Sequence, residues 1–297
     1  MAKIAIALKQ ALAHRAATGT AGTPAARLVA AGEGWMVEDV VCTSGPGDRS
    51  YEEQHSHVRV AIVAAGSFQY RAACRNSTAR ELMTPGSVLL ASEGQCFECG
   101  HDHGAGDRCL SFGYTPDYFE SLTGGASGTR EFPVVCLPPM RDLSPLIARA
   151  CAGVAGDVNV AWEDLSVELG ARAVQLANAS SSDLNRTPPG ATARVTRIVR
   201  RIERDPDSAL TLRSLAHEAG LSPFHFLRTF ERLTGVTPHQ YVLRTRLREA
   251  AMRLMAGPAK ILEIALDCGF GDVSNFNRTF RAEFGVSPRR YRLSQRS

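Results

Sequence analysis

The sequence predicts an α+β protein: a β-rich, barrel-like domain with following helices, then an all-α domain carrying two helix-turn-helix units. Three observations predict it. Strand-like runs fill the stretch between Val37 and Phe112. A serine- and proline-rich break, "NASSSDLNRTPPGAT", occupies 178–192. Beyond that break the chain is helical in pattern and repeats itself at an offset of 50 residues.

The first 34 residues are alanine-rich and hold no acid before Glu33. Lys9, Gln10, His14 and Arg15 interrupt what would be the apolar core of a secretory signal, so an N-terminal arm over 1–34, a short helix or frayed end, is expected. No apolar run approaches the ~20 residues that a membrane-spanning helix needs. The eight cysteines are scattered rather than framed for disulfides, which fits reduced thiols and a cytoplasmic protein with no membrane partner.

Strand signals follow over a domain set at 35–178. "VRVAIVAAGSFQYRA", "GSVLLAS" and "CLSFGY" are rich in β-branched and aromatic residues and are separated by Gly, Pro and Asn. From Pro145 to Ala177 the spacing of Leu165, Leu169, Val174 and Leu176 is helical. Such helices at the end of this domain are where a homodimer is expected to form.

The break over 179–191 reads as a linker. From Ala191 onward, 19 Lys and Arg stand against 10 Asp and Glu, and 18 of the 19 are arginine. The earlier 190 residues hold 15 against 20. A basic half joined to an acidic half points to a polyanion partner for residues 192–297.

Within that basic part, "FLRTFERLTGVTPHQY" (226–241) and "FNRTFRAEFGVSPRRY" (276–291) share eight of sixteen residues. In each copy a short helix ends at a glycine, Gly220 or Gly269, and a second helix starts at a capping residue, Ser222 or Asp272. At ~100° per residue, Phe226, Phe230 and Leu233 face inward in the first copy, with Phe224, Leu227, Arg228 and Glu231 opposite. In the second copy Phe276 and Phe280 face inward, with Ser274, Asn277, Arg278 and Arg281 opposite. An outward arginine at the same place in both copies is what a DNA reader needs, since arginine forks onto guanine.

The duplicated unit, the "GF.D.S.F.R.F" run at 269–280 and the terminal "G.SP..YR" at 285–292 resemble the AraC/XylS class of transcription regulators. The resemblance spans about 191–297. It implies seven helices, two of which enter successive major grooves of double-stranded DNA. Carried over position by position, it implies base-reading roles for Phe224, His225, Leu227 and Arg228, and for Ser274, Asn275, Asn277 and Arg278. RNA polymerase is a further expected partner.

In such regulators the N-terminal domain usually senses a ligand, often in a cupin-type barrel. His55-x-His57 leading into a strand, and Pro85-Gly86 before another, are similar to cupins. Gln95-Cys96 stands where cupins carry a third metal-binding histidine, so a 2-His-1-carboxylate centre would need Glu52, Glu53 or Glu98.

The stretch "CFECGHDHGAGDRC" (96–109) is nonetheless rich in ligand chemistry. If strand geometry persists, Cys99, His101 and His103 share one face, and a hairpin at Gly104–Asp107 brings Cys109 alongside. The expected metal set is Cys99, His101 and His103 with His55 or Cys109, and Cys with His suits Zn, Ni or Cu(I). The expected function is a sequence-specific DNA-binding transcription regulator, not an enzyme, that responds to a small ligand or metal. The alternative is a cupin-type metalloenzyme fused to a DNA-binding domain.

Overall fold

The computed structural model describes residues 2–50, 52–74, 77–122, 131–180 and 190–294. It opens with α1 (Ala2–Thr18), followed by β1 (Pro24–Gly32), β2 (Trp35–Cys42), β3 (Glu52–Gln54), β4 (Val58–Gly66) and β5 (Phe68–Cys74). Then come β6 (Ser77–Met83), β7 (Val88–Ala91), β8 (Cys96–Gly100), β9 (Asp107–Tyr114), α2 (Pro116–Leu122) and β10 (Cys136–Leu137). Two helices, α3 (Ser144–Val154) and α4 (Trp162–Ala179), close the N-terminal part.

Among the described residues the strands form two antiparallel sheets, ordered β1-β2-β9-β4-β7-β10 and β3-β8-β5-β6. The larger sheet is covered on both faces, which explains why β9 and most of β4 are apolar or buried throughout instead of alternating. Val63, Leu89 and Cys109 face Phe68, Tyr70 and Met83 of the smaller sheet. Val60, Ile62, Leu110 and Phe112 face the helices, where Leu146, Leu165 and Leu169 meet them.

The arm expected over 1–34 is part of this body. Ile4 and Leu8 of α1 are buried against the larger sheet, and β1 pairs with β2 along its length. The boundary set at residue 35 therefore cuts through a hairpin. An alanine-rich helix with few large apolar residues gives a weak pattern, and two buried side chains are enough to dock it.

The linker expected at 179–191 lies largely outside the described residues. α4 ends at Ala179, and the C-terminal part starts with α5 (Ala191–Arg204). It continues through α6 (Leu212–Glu218), α7 (Pro223–Thr234), α8 (Pro238–Ala256), α9 (Ile261–Asp267), α10 (Val273–Phe284) and α11 (Pro288–Ser294). That makes seven helices among the described residues, as the resemblance implied. α5 owes its docking to Val195, Ile198, Val199 and Ile202, spaced along one helical stripe and all fully buried.

The two parts are packed together rather than merely tethered. α3 lies on α8 and α10, and the core runs continuously from the larger sheet through Leu146 and Ala150 to Ala250, Leu254 and Phe280. Polar ties cross the same boundary. The Ser144 hydroxyl donates to Glu283 Oε1 (2.6 Å), Arg244 Nη1 to the Pro139 carbonyl (2.6 Å) and the Tyr241 hydroxyl to the Pro85 carbonyl (3.3 Å).

Candidate functional site

The repeat in the sequence is a repeat in space. In the first copy Phe226, Phe230 and Tyr241 are fully buried, with Phe226–Phe230 centroids 5.5 Å apart and Phe230–Tyr241 edge-on at 5.7 Å. Fifty residues on, Phe276–Phe280 lie 5.5 Å apart and Phe280–Tyr291 meet edge-on at 5.4 Å. Burial of each such ring contributes about 2–3 kcal/mol, so the shared aromatic residues form the two cores.

The turns fold as expected. Gly220 and Gly269 adopt φ of +64° and +80°, the left-handed region that lets α6 and α9 stop and the chain reverse. At Gly269 a Cβ would also lie 2.8 Å from the Asp207 Cα. Ser222 Oγ accepts from the His225 amide, with Pro223 at the first helical position, and Asp272 Oδ1 accepts from the Asn275 amide at 2.7 Å. Arg246 of α8 binds the two copies together, donating to the carbonyls of Pro206 (2.7 Å), Ser208 (2.9 Å) and Gly269 (2.8 Å).

Seven of the eight residues expected to read bases are exposed: Phe224, His225 and Arg228 on α7, and Ser274, Asn275, Asn277 and Arg278 on α10. Phe224 is 64% exposed, with the Arg228 guanidinium 5.7 Å from its ring centroid, a cation–π pair on the outer face. Arg278 donates to Asn275 Oδ1 at 3.0 Å, so the two are held side by side. Leu227 differs: it is half-buried and lines a groove with Leu210, Leu215, Pro238 and Val242. Its position on the wheel is at the edge of the outward face, and apolar neighbours from α6 and α8 draw it in.

The second site is a cavity of ≈ 350 Å³ between the two sheets. Phe68, Phe97 and Leu89 supply apolar wall, and the Arg59–Glu38 ion pair (2.5 Å) supplies polar wall. His55 stacks on Phe97 with centroids 3.9 Å apart and its Nε2 lies 2.9 Å from the Tyr70 hydroxyl. Burial, aided by nearby Arg59, lowers its pKa to about 4, so it is neutral at ordinary pH.

The expected metal set does not assemble. β8 stops at Gly100, so strand alternation does not reach His103, which is exposed and outside the cavity wall. No hairpin joins β8 to β9, because Gly104–Gly106 carry the chain from the smaller sheet to the larger one. His55 lies in the cavity wall but is engaged with Tyr70 and Phe97.

What converges instead is Cys42, His101 and Asp107, all buried, with one donor atom from each lying within 4.8 Å of the others. Cys42 and Asp107 face each other across β2 and β9, a pairing that linear spacing cannot reveal. His101 Nε2 lies 2.6 Å from Asp107 Oδ1, and the Cys109 thiol donates to Asp107 Oδ2 at 3.3 Å. Burial opposes charge on His101, but the Asp107 hydrogen bond, with Cys42 and the carboxylate charge, raises its pKa to about 9. Burial and the Asp107 charge push the Cys99 and Cys109 thiols well up. Of the expected ligands, His101, Cys99 and Cys109 share this end of the cavity.

Sequence reasoning also missed Arg200 of α5. Its guanidinium crosses into the loop after β8, donating to the carbonyls of Ala105 (2.9 Å), Gly106 (3.3 Å) and Ser67 (3.2 Å). A Cβ on Gly104 would sit 2.3 Å from its guanidinium carbon. The glycines of "GHDHGAGD" thus form a socket for the C-terminal part.

No helix among the described residues is long and apolar enough to cross a membrane. A family profile described as a helix-turn-helix domain matches residues 215–294. The chain is 38% identical over 94 residues to the transposon Tn10 TetD protein of Escherichia coli, covering 32% of this chain and 68% of TetD. It is 33% identical over 93 residues to the transcriptional activator AarP of Providencia stuartii, covering 31% of this chain and 69% of AarP. A solved AraC-type regulator from Chromobacterium violaceum shares 29% identity over 36% of this chain and 95% of that one, at a TM-score of 0.33. With the double helix-turn-helix in place, the chain belongs to the AraC/XylS family of DNA-binding transcriptional regulators.

Proposed function

We propose that the chain reads double-stranded DNA through α7 and α10 and adjusts that reading to a small effector held between its two sheets. One observation carries the DNA part: two capped helices present an arginine at equivalent positions, Arg228 and Arg278, on outward faces of a strongly basic domain. Each can fork onto a guanine edge, while Asn275 or Asn277 pairs with adenine and Phe224 packs on a thymine methyl. Around the shared arginine the copies differ, Phe224 against Ser274, His225 against Asn275 and Leu227 against Asn277, so the two half-sites differ in sequence. Arg281, Arg289 and Arg290 suit phosphates, which fix position.

The cavity supports the sensing part. It is large enough for a small organic molecule, with an apolar wall and a few polar groups. Arg200 gives it a physical route to the DNA-binding part, because the socket loop begins at His101 and ends at Asp107. Residues 1–178 are proposed to make a homodimer, with RNA polymerase as a further partner, in the cytoplasm. An enzyme reading is the weaker one: the converging group among the described residues has one histidine, one thiol and one carboxylate, not the two histidines and carboxylate of iron oxygenases.

The test is DNA binding by the full chain over a range of salt concentrations, with a random duplex as competitor. Selective binding that weakens steeply with salt is expected. Equal affinity for every duplex would overturn the reading.

A further inference from the structure

We infer that Cys42, His101 and Asp107 form a binding site for a borderline-soft divalent cation of the zinc class. The inference rests on the sensing role proposed for the cavity and names what that end of it binds.

The fold builds the site from three separate strand ends. Cys42 closes β2, Asp107 opens β9 directly opposite it, and His101 follows β8 of the other sheet. Opposed residues in an antiparallel pair point to the same face, so Cys42 and Asp107 meet without a loop between them. His101 reaches them from across the cavity, where its Nε2 already touches Asp107. The side chains of His101 and Asp107 are 3% and 7% exposed.

The donor spacing is near what a cation requires. Thiolate, imidazole and carboxylate bind zinc at about 2.3, 2.0–2.1 and 2.0–2.2 Å, so donors around one ion stand roughly 3–4 Å apart. Here they lie within 4.8 Å, and a shift of about an ångström closes the set. An ion pair alone would need only His101 and Asp107; the Cys42 thiol adds a third donor atom from a separate segment. The mixture of S, N and O donors disfavours Mg and Ca, which take oxygen. Three protein ligands facing a cavity leave a fourth position for solvent or for a donor atom of an effector. His103 is exposed and has no part in the site.

The site also sits on the lever. His101 and Asp107 bracket the loop whose carbonyls hold Arg200, so drawing both onto an ion would move that socket.

The experiment uses the reduced, metal-stripped full chain. Zn(II) is titrated against a chromophoric chelator, and Co(II) serves as a spectroscopic stand-in. The expected result is about one Zn per chain and a thiolate-to-cobalt charge-transfer band. Both should be lost in Cys42→Ser and His101→Ala and kept in His103→Ala. Uptake below about a tenth of an ion per chain, or Co(II) bound without the thiolate band, overturns the site. So does an unchanged Co(II) spectrum in Cys42→Ser; if that variant fails to fold, Cys42→Ala is read in its place. Operator selection by the same metal-free protein separates the two readings. Selective DNA binding without metal uptake removes only this inference, whereas no selective binding with or without Zn removes the regulator reading beneath it.

Discussion

Arg200 and Gly104 are matched across the boundary between the two parts of the molecule: the guanidinium occupies the space that a side chain at 104 would take. The contact joins the first helix of the DNA-binding part to the loop that carries His101 and Asp107. Loss of charge-assisted hydrogen bonds of this kind costs about 1.5–3 kcal/mol each where the acceptors stay buried.

Arg200→Ala is accordingly expected to lower stability and to speed hydrogen exchange in both the 101–107 loop and α5, leaving α10 unchanged. Arg200→Lys should restore part of the protection, since an ammonium replaces the charge but not the fork. Gly104→Ala should reproduce Arg200→Ala by displacing the guanidinium. Hydrogen exchange by mass spectrometry checks all three, and unaltered protection in Gly104→Ala would count against the socket.

Asp39 provides a pH test. It accepts two hydrogen bonds from Arg108 (2.8 and 2.9 Å), and Arg108 also donates to the Ile4 carbonyl (3.0 Å). Burial pulls the Asp39 pKa up, but Arg108 and Arg27 outweigh it and hold the carboxyl below its ordinary value. A carboxylate with a depressed folded-state pKa stabilises fully above its unfolded pKa of about 3.9 and loses that contribution as pH falls through the folded value. Denaturation midpoints should thus fall below about pH 4 in the wild type. Asp39→Asn should remove this acid-dependent share and cost about 3–5 kcal/mol at neutral pH, because Arg108 is left buried and unpaired.

Ile4 tests whether the N-terminal helix belongs to the body. Its side chain is fully buried, so Ile4→Ala should cost about 2–5 kcal/mol. A frayed arm would give a change within ~0.5 kcal/mol, as surface substitutions do. Urea denaturation of the full chain distinguishes the two.

Much of the DNA-binding part was legible because its information is local. A cap at Ser222 or Asp272, a glycine at 220 or 269 and a phenylalanine every fourth residue all act within one or two helical turns. Leu227 departed from that reading because α6 and α8, distant in pattern though near in space, supply apolar cover. The cluster of Cys42, His101 and Asp107 was illegible for the opposite reason. Cys42 meets Asp107 through strand register across 65 positions of sequence, and Arg200 meets Gly104 across nearly a hundred. The glycines at 104 and 106 looked like a hairpin because glycine permits many turns. Here they carry the chain between sheets and receive an arginine.

If α7 and α10 each read their own half-site, selection of bound duplexes from a random pool will reveal it. Wild type, Arg228→Ala and Arg278→Ala, each as the full chain, are compared at fixed salt. Two unlike half-sites about one helical turn apart, roughly 10 base pairs, are expected. Each variant should lose preference at one half-site only, by about 1–3 kcal/mol, while Arg289→Ala weakens every sequence alike and flattens the salt dependence. Recovery of the wild-type motif by both helix variants, or no enrichment over the starting pool, would contradict it.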